Sequence, residues 1–104
     1  MAQLSFTAGA LADLGRLADF LIEADSVAAI QAAEFIIEAI AILANHPLIG
    51  RRAEQDFREL VISRGHSGYV ALYSYEARHD TVLILAIRHQ RETGYFDAGE
   101  LGGA

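Results

Sequence analysis

The polar residues that end the last apolar segment of the chain are its best candidates for chemistry. Arg88, His89, Arg91 and Tyr95 lie within eight residues, directly after the apolar run that begins at Val82. Histidine is the side chain whose unperturbed pKa lies near neutrality, so it can serve as an acid or a base. Arginine forms bidentate contacts with phosphate oxygens, and a tyrosine can donate a hydrogen bond or stack. The set predicts acid–base work at a phosphate.

A second arginine, Arg58, lies in an earlier apolar segment and can serve as a further phosphate clamp. Strand alternation places Arg88 and His89 on opposite faces, so both can line one pocket only where the strand ends or bulges. The four histidines have no ligand-like spacing and the chain has no cysteine. We therefore expect neither a metal site nor a cofactor.

Two helices are predicted in the first half of the chain, after a short apolar strand at residues 3–6. Thr7 can cap the first helix. Its apolar positions recur at helical spacing, which leaves Asp13 elsewhere on the helix surface; they are Leu11, Leu14, Ala18, Leu21 and Ile22. Asp25 and Ser26 can cap the second helix, and Pro47 ends it because proline cannot continue the hydrogen-bond ladder. The very short linker predicts an antiparallel helical hairpin.

Three β-rich segments follow, at residues 57–62, 69–75 and 81–89, separated by short turns at 65–68 and 78–80. Short turns favour an antiparallel meander. The predicted fold is α+β, with the order β-α-α-β-β-β and the helical hairpin packed on an antiparallel four-stranded sheet. Residues 1–98 are expected to form one domain, and the glycine-rich residues 99–104 a disordered tail.

The second helix is apolar over more of its circumference than one buried face requires. Its inner stripe is predicted to be Ala29, Ala33, Ile36, Ile40 and Leu43. The surplus, Ile30, Ile37, Ala41 and Ala44, either is covered within the chain or marks a docking surface for another polypeptide. In the second case Glu34 and Glu38 can pair with basic residues of that partner.

Composition limits the partners further. The net charge is −6, and all eight basic residues are arginines. Residues 1–50 carry one arginine against six acids, whereas residues 51–104 carry seven arginines against eight acids. A general phosphate-backbone binder needs a positive footprint that this chain lacks. An acidic partner is expected to meet the second half, where Arg51, Arg52 and Arg91 are candidate contacts. The longest apolar runs have six residues and no basic leader precedes them, so we expect a cytoplasmic protein without a membrane partner.

Four stretches resemble the RelE/ParE family of toxins. Residues 45–51, NHPLIGR, are similar to the stretch that follows the second helix of the family, and residues 57–61, FRELV, to the next strand. Residues 68–75, GYVALYSY, resemble the following strand, and residues 82–95, VLILAIRHQRETGY, the closing strand with its basic end. The four stretches occur in the family's order and together cover nearly the whole chain.

The resemblance implies the toxin of a bacterial type II toxin–antitoxin pair. ParE-like members inhibit DNA gyrase, and RelE-like members cleave messenger RNA on the ribosome. The acidic charge and the absence of lysine favour the ParE-like branch, with a ParD-like antitoxin as partner and a higher-order toxin–antitoxin assembly. If the chain is instead a metal-independent endoribonuclease, Arg58, Arg88, His89 and Tyr95 are its catalytic candidates; a third alternative is an inactive member that only binds its antitoxin. The candidate partner-binding residues are Ile30, Glu34, Ile37, Ala41, Arg51, Arg52 and Arg91.

Overall fold

A computed structural model describes residues 1–22, 25–64, 67–92 and 94–95. The elements follow the predicted order, with one additional short strand, and their bounds are β1 Gln3–Phe6, α1 Ala8–Ile22, α2 Ser26–Ala41, β2 Arg51–Arg52, β3 Arg58–Arg64, β4 Ser67–Glu76 and β5 Thr81–His89. The α+β class and the helical hairpin are confirmed. The predicted tail at residues 99–104 lies outside the described residues, as do the middle of the turn between β3 and β4 and the link between the helices.

The sheet is five-stranded and mixed, in the order β1-β5-β4-β3-β2. The strands β3, β4 and β5 pair antiparallel as predicted, and β2 adds antiparallel to β3, but β1 pairs parallel with β5; the sheet is therefore mixed rather than wholly antiparallel and has five strands rather than four. The helical hairpin connects β1 to the antiparallel strands that follow. Those strands leave the outer edge of β5 unpaired, and β1 pairs with that edge. The two residues of β2, which apolar patterning does not predict as a strand, extend the other edge.

The helices cover one face of the sheet and form the main core with it. The largest side chains sealed in that core include Tyr73, Ile36, Ile40, Ile84 and Ile87. A smaller apolar cluster lies on the opposite face, which we call the open face; it contains Leu72, Leu85 and Ala86, with Phe57 and Tyr95 packed against it. β5 bulges at Leu85, because Leu72 pairs with Ala86 whereas the next residue of β4, Tyr73, pairs with Ile84. The consecutive residues Leu85 and Ala86 therefore both face the open side.

Both predicted helix caps are confirmed. The Thr7 hydroxyl accepts a hydrogen bond from the Ala10 backbone N–H at 3.0 Å. The Asp25 carboxylate accepts from the backbone N–H groups of Val27 and Ala28, which satisfies donors that the first turn of α2 leaves unpaired.

The predicted apolar face of α1 is confirmed at Leu14, which packs against the main core, but is wrong at Leu11. Leu11 is 56% exposed, whereas Asp13 is only 2% exposed and lies between the buried Ala10 and Leu17. The cause is the edge of β5 beyond Ile84, where β1 has ended and the backbone groups need other partners. Side chains of α1 supply them, so the helix turns Asp13 inward rather than Leu11.

The predicted stripe of α2 is confirmed at Ala29, Ile36, Ile40 and Leu43, which are buried, while Ala33 is only partly buried. By length and composition alone, the stretch Ser26–Ala44 could cross a membrane. Its buried face already packs on α1 and the sheet, as expected for the core helix of a small α+β domain.

Candidate functional site

The end of β5 separates the two residues with the most obvious chemistry. Arg88 pairs with Val70 and projects to the open face, whereas His89 pairs with Tyr69 on the helix-covered face. The bulge lies earlier in the strand and does not bring them together. The predicted opposition of Arg88 and His89 is therefore confirmed, and the two side chains do not share a pocket.

Four polar side chains meet on the open face, and we call them the open-face cluster: Arg51, Glu59, Arg88 and Tyr95. The Arg51 Nε donates to Glu59 Oε1 at 3.0 Å across the β2–β3 pair. The Tyr95 hydroxyl donates to the other carboxylate oxygen, Glu59 Oε2. The Arg88 guanidinium carbon lies 5.0 Å from the centre of the Tyr95 ring, within the range of a cation–π contact.

The surroundings of Tyr95 stabilise its protonated form. Burial against the small apolar cluster raises the pKa of Tyr95 well above its ordinary value of 10.0, and the hydrogen bond to Glu59 raises it further. The nearby Arg88 acts in the opposite direction with a smaller effect on that pKa. At neutral pH this side chain is a hydrogen-bond donor and a poor base.

Arg88 is largely committed to the backbone that follows it. The Nη1 atom of Arg88 shares its hydrogens among the carbonyl oxygens of His89, Gln90 and Glu92, at 3.1 to 3.3 Å. The guanidinium therefore holds the turn that carries the chain from β5 to Tyr95. Among the described residues its buried Nε has no hydrogen-bond partner.

His89 contributes to the same turn from the other face. Its Nδ1 accepts from the Arg91 backbone N–H at 3.1 Å, and its ring meets Tyr69 edge-on with the ring centres 5.4 Å apart. The Arg91 side chain is exposed. These contacts position the imidazole as a structural element of the turn.

The fourth candidate, Arg58, lies on the helix-covered face, opposite Tyr73. Its Nη1 donates to the carbonyl oxygens of Leu48 and Gly50, at 3.1 and 2.9 Å. Arg58 thus fastens the loop after α2 to the sheet. The structure brings Arg88 and Tyr95 together and leaves Arg58 and His89 elsewhere.

Sequence reasoning missed a buried polar network between α1 and β5. The Ile87 backbone N–H donates to Asp13 Oδ2 at 2.8 Å, and Arg16 bridges Asp13, at 3.5 Å, to Glu92, at 3.0 Å. Glu92 also accepts from the His89 backbone N–H. The sequence signal for this network is the spacing of Asp13, which lies three residues after Ala10 and four before Leu17. This spacing places Asp13 on the same face of the helix as those two buried residues.

The candidate partner-binding residues all lie on the surface. Ile30 is 60% and Ile37 50% exposed, and Glu34 and Ala41 on the same side of α2 are also exposed. At the β2 edge Arg51 and Arg52 are also exposed, and Arg51 forms an ion pair with Glu59. Over the described ranges, no three histidine or acidic side chains are grouped so as to hold a metal ion.

Comparisons with known proteins place these features in a family. Residues 4–94 match the model of the ParE toxin of the type II toxin–antitoxin system parDE. Toxin RelE3 of Caulobacter vibrioides is 39% identical over 80 residues, which cover 77% of this chain and 85% of that protein.

Solved structures have the same fold. A chain of the chromosomal ParDE system from P. aeruginosa superimposes with a TM-score of 0.73 and 25% identity, covering 86% of this chain and 96% of that one. A chain of the RelBE2 toxin–antitoxin complex from Mycobacterium tuberculosis gives a TM-score of 0.58 at 25% identity, covering 88% and 93%. The family match spans nearly all of the described residues, and the chain therefore belongs to the ParE toxin family of type II toxin–antitoxin systems.

Proposed function

We propose that this toxin inhibits DNA gyrase through protein–protein contact, acts in the cytoplasm and is neutralised by a ParD-like antitoxin. The proposal has two parts, a target and a regulator, and separate surfaces serve them. The exposed arginines Arg51 and Arg52 at the β2 edge, and Arg91 in the turn after β5, are assigned to the acidic target, and the exposed face of α2 to the antitoxin.

The choice of gyrase rather than RNA as the target is supported by the hydrogen bonds that already engage the open-face cluster. Cleavage of RNA through its 2′-hydroxyl requires a base, cations free to meet the phosphoryl oxygens, and an acid. Here the Tyr95 proton is held by Glu59, and the Arg88 Nη1 is occupied by three backbone carbonyls. Their side chains instead hold the turn after β5 and fix Tyr95 against the sheet.

The remaining candidates support the same conclusion. Arg58 is bound to the loop carbonyls on the helix-covered face, and His89 lies on that face with Tyr69. Neither approaches the Arg88–Tyr95 pair, which lies on the other side of the sheet. The net charge of −6 would also oppose binding to ribosomal RNA, a polyanion.

A supercoiling assay with purified DNA gyrase tests the target. The toxin is expected to inhibit supercoiling or to trap cleaved DNA, and to leave messenger RNA intact in a translating extract. Arg52→Glu should weaken inhibition about tenfold, since it places a like charge against an acidic surface. The matched control is Arg78→Glu, an exposed arginine at the β4–β5 turn, which should leave inhibition unchanged.

Undiminished gyrase activity at toxin concentrations that stop growth would refute the target. Normal growth on induction, with the antitoxin still bound, would identify an inactive member of the family instead.

One observation favours the RelE-like alternative, namely the contact between Arg88 and Tyr95 at the end of β5. If the protein is a ribosome-dependent endoribonuclease, messenger RNA in a translating extract will be cut, and Tyr95→Phe will abolish the cutting. Tyr69→Phe serves as a control, because its ring packs in the main core on the other face.

A further inference from the structure

The strands β2 and β3 place two pairs of charged residues directly opposite each other, one pair on each face of the sheet. On the open face Arg51 lies opposite Glu59, and these two side chains form an ion pair at 3.0 Å. On the helix-covered face Arg52 lies opposite Arg58. Residues directly opposite in antiparallel strands have Cβ atoms about 5 Å apart, so opposite charges attract and like charges repel. We call Arg52 and Arg58 the arginine pair.

The chain does not neutralise the arginine pair in the ranges that the structure describes. The ion pairs there engage Arg16 and Arg51, and none engages Arg52 or Arg58. Two acids, Glu54 and Asp56, lie in the connection between β2 and β3, but neither forms an ion pair over the same ranges. The sheet therefore holds two like charges together, and an anion bound between them would relieve the repulsion.

One member of the pair is held in a fixed position. The Arg58 Nη1 donates to the carbonyl oxygens of Leu48 and Gly50, which fixes the plane of its guanidinium group. Its Nε and Nη2 make no hydrogen bond to any described residue, and neither atom is sealed from solvent. Arg52 is exposed and can close on a ligand from the edge of the sheet. A donor that is already in place lowers the entropic cost of binding.

The surroundings favour a carboxylate on a polypeptide as the ligand. A carboxylate has one charge and two oxygens, so each oxygen can accept from one planar guanidinium group. The further phosphates of a nucleic acid would be repelled by a chain with net charge −6. The loop that holds Arg58 also exposes Leu48 and Ile49, which are 57% and 58% exposed. An acidic polypeptide can cover these aliphatic side chains together with the arginine pair, whereas a free anion cannot.

We propose that the arginine pair binds a single aspartate or glutamate carboxylate, carried by an acidic segment of the target. The proposal rests on the proposed inhibition of gyrase and names the chemical group that the target presents. It gives Arg58 a ligand in addition to the loop carbonyls. It also ranks the arginines of the β2 edge, because Arg51 is already neutralised by Glu59 and Arg52 is not.

Charge exchange at the two opposite pairs tests whether the arginines are close enough to share one ligand. Arg52→Glu replaces repulsion with attraction opposite Arg58, so its Tm is expected to be higher than that of the parent by roughly 2–5 °C. Arg51→Glu is the matched control on the same edge; it places a like charge opposite Glu59 and should lower the Tm. A Tm of Arg52→Glu at or below that of the parent would overturn the proposal.

Nuclear magnetic resonance of the ¹⁵N-labelled full-length protein tests the ligand. The probes are two capped tripeptides of glycine, one with a central glutamate and one with a central glutamine. The arginine Nε–Hε signal of Arg58 is expected to shift to saturation, with about tenfold tighter binding of the glutamate peptide, because a charge-assisted pair replaces a neutral contact. Arg52→Gln should lose this preference, whereas Arg78→Gln, at the exposed β4–β5 turn, should keep it.

Arg58→Lys separates the geometry of the site from its charge. Lysine keeps the positive charge and can still donate to a loop carbonyl, but it lacks the planar pair of nitrogens. Binding of the glutamate peptide should weaken about tenfold, since the second contact of the carboxylate is lost. Thermal unfolding of the same sample shows whether the variant is folded. Unchanged affinity in folded Arg58→Lys would overturn the two-arginine site.

Other ligands have their own readouts in the same titration. Equal binding of the two peptides would overturn the carboxylate site. Tighter binding of inorganic phosphate, or of a short single-stranded oligonucleotide, than of the glutamate peptide would assign the pair to phosphate and refute the proposal. The titration contains no gyrase, so its result is independent of the supercoiling assay. If the parent inhibits gyrase and Arg52→Gln inhibits it equally while losing the peptide, the carboxylate does not come from gyrase.

Discussion

The Gly50 backbone N–H donates a hydrogen bond to the Tyr73 hydroxyl at 2.8 Å, and the two residues contact so closely that a side chain on Gly50 has no room. A Cβ there would lie 2.6 Å from that hydroxyl and 2.8 Å from the Glu59 carbonyl oxygen. The Gly50 carbonyl in turn accepts from Arg58. Gly50 and Arg58 thus fasten the loop after α2 to the sheet.

Gly50→Ala is expected to destabilise the protein by about 1–3 kcal/mol, because Tyr73 is fully buried and the Glu59 carbonyl belongs to the sheet backbone, so neither can move freely. Thermal unfolding should show a Tm lower by roughly 10 °C. Gly15→Ala is the matched control: nothing lies near its Cβ position in the exposed part of α1, and alanine should stabilise that helix by about 0.5–1 kcal/mol. A Gly50→Ala variant as stable as the parent would contradict the close contact.

Tyr73→Phe removes the acceptor of the buried Gly50 N–H without changing the ring. The unpaired donor should cost about 1–3 kcal/mol in the free energy of unfolding, measured by urea denaturation. Tyr75→Phe provides the comparison, since its hydroxyl donates to Asp80 in an exposed turn and its loss should leave the unfolding midpoint nearly unchanged. Equal effects of the two substitutions would show that burial of the Tyr73 hydrogen bond contributes nothing.

Asp13→Ala is expected to destabilise the protein by about 2–4 kcal/mol, because the Ile87 N–H loses its acceptor and Arg16 loses one of its carboxylates. Asp13→Asn keeps an oxygen for Ile87 and should cost less. Asp19→Asn, an exposed position on the same helix, should change stability by less than about 0.5 kcal/mol. Chemical denaturation of the three variants checks this order, and an Asp13→Ala variant within error of Asp19→Asn would refute the role of the network.

The sequence predicted the elements of this fold far better than it predicted their contacts. Apolar periodicity, Thr7 and Asp25 locate the helices, because caps act over a few residues, whereas α2 ends at Ala41, six residues before the predicted stop at Pro47. The rotation of α1 was not predictable in this way, since it depends on the free edge of β5 around Ile87, which is 74 residues from Asp13. The parallel pairing of β1 was missed for the same reason, because the sequence of a four-residue strand does not indicate which strand it pairs with.

The candidate site shows the same limit. Alternation correctly separated Arg88 from His89 because both lie on one strand. It could not reveal that Glu59 accepts a hydrogen bond from Tyr95, since these residues are 36 positions apart and meet only once the sheet has formed.

The tyrosines Tyr73, Tyr75 and Tyr95 should ionise at unusually high pH in the folded protein. The pKa of Tyr73 is raised mainly by burial, that of Tyr75 mainly by its hydrogen bond to Asp80, and that of Tyr95 mainly by burial. A raised pKa means that the folded state holds the proton more tightly than the unfolded state. The resulting stabilisation is complete below the unfolded value near 10 and is lost as the pH rises through the folded values. Ultraviolet titration should show tyrosinate appearing at lower pH in urea than in buffer, and coincident curves would refute the shifts.

Glu59→Gln separates the two effects that keep Tyr95 protonated. The substitution removes the carboxylate charge and leaves burial, so the pKa of Tyr95 should fall but stay above its ordinary value of 10.0. In the ultraviolet titration, Tyr95→Phe identifies which step belongs to this residue. Because the proposed inhibition of gyrase uses no proton transfer, Glu59→Gln should produce no cutting of messenger RNA in a translating extract. If cutting appears once the charge is removed, Glu59 restrains a latent nuclease, and the open-face cluster is a catalytic site rather than a structural support for Tyr95.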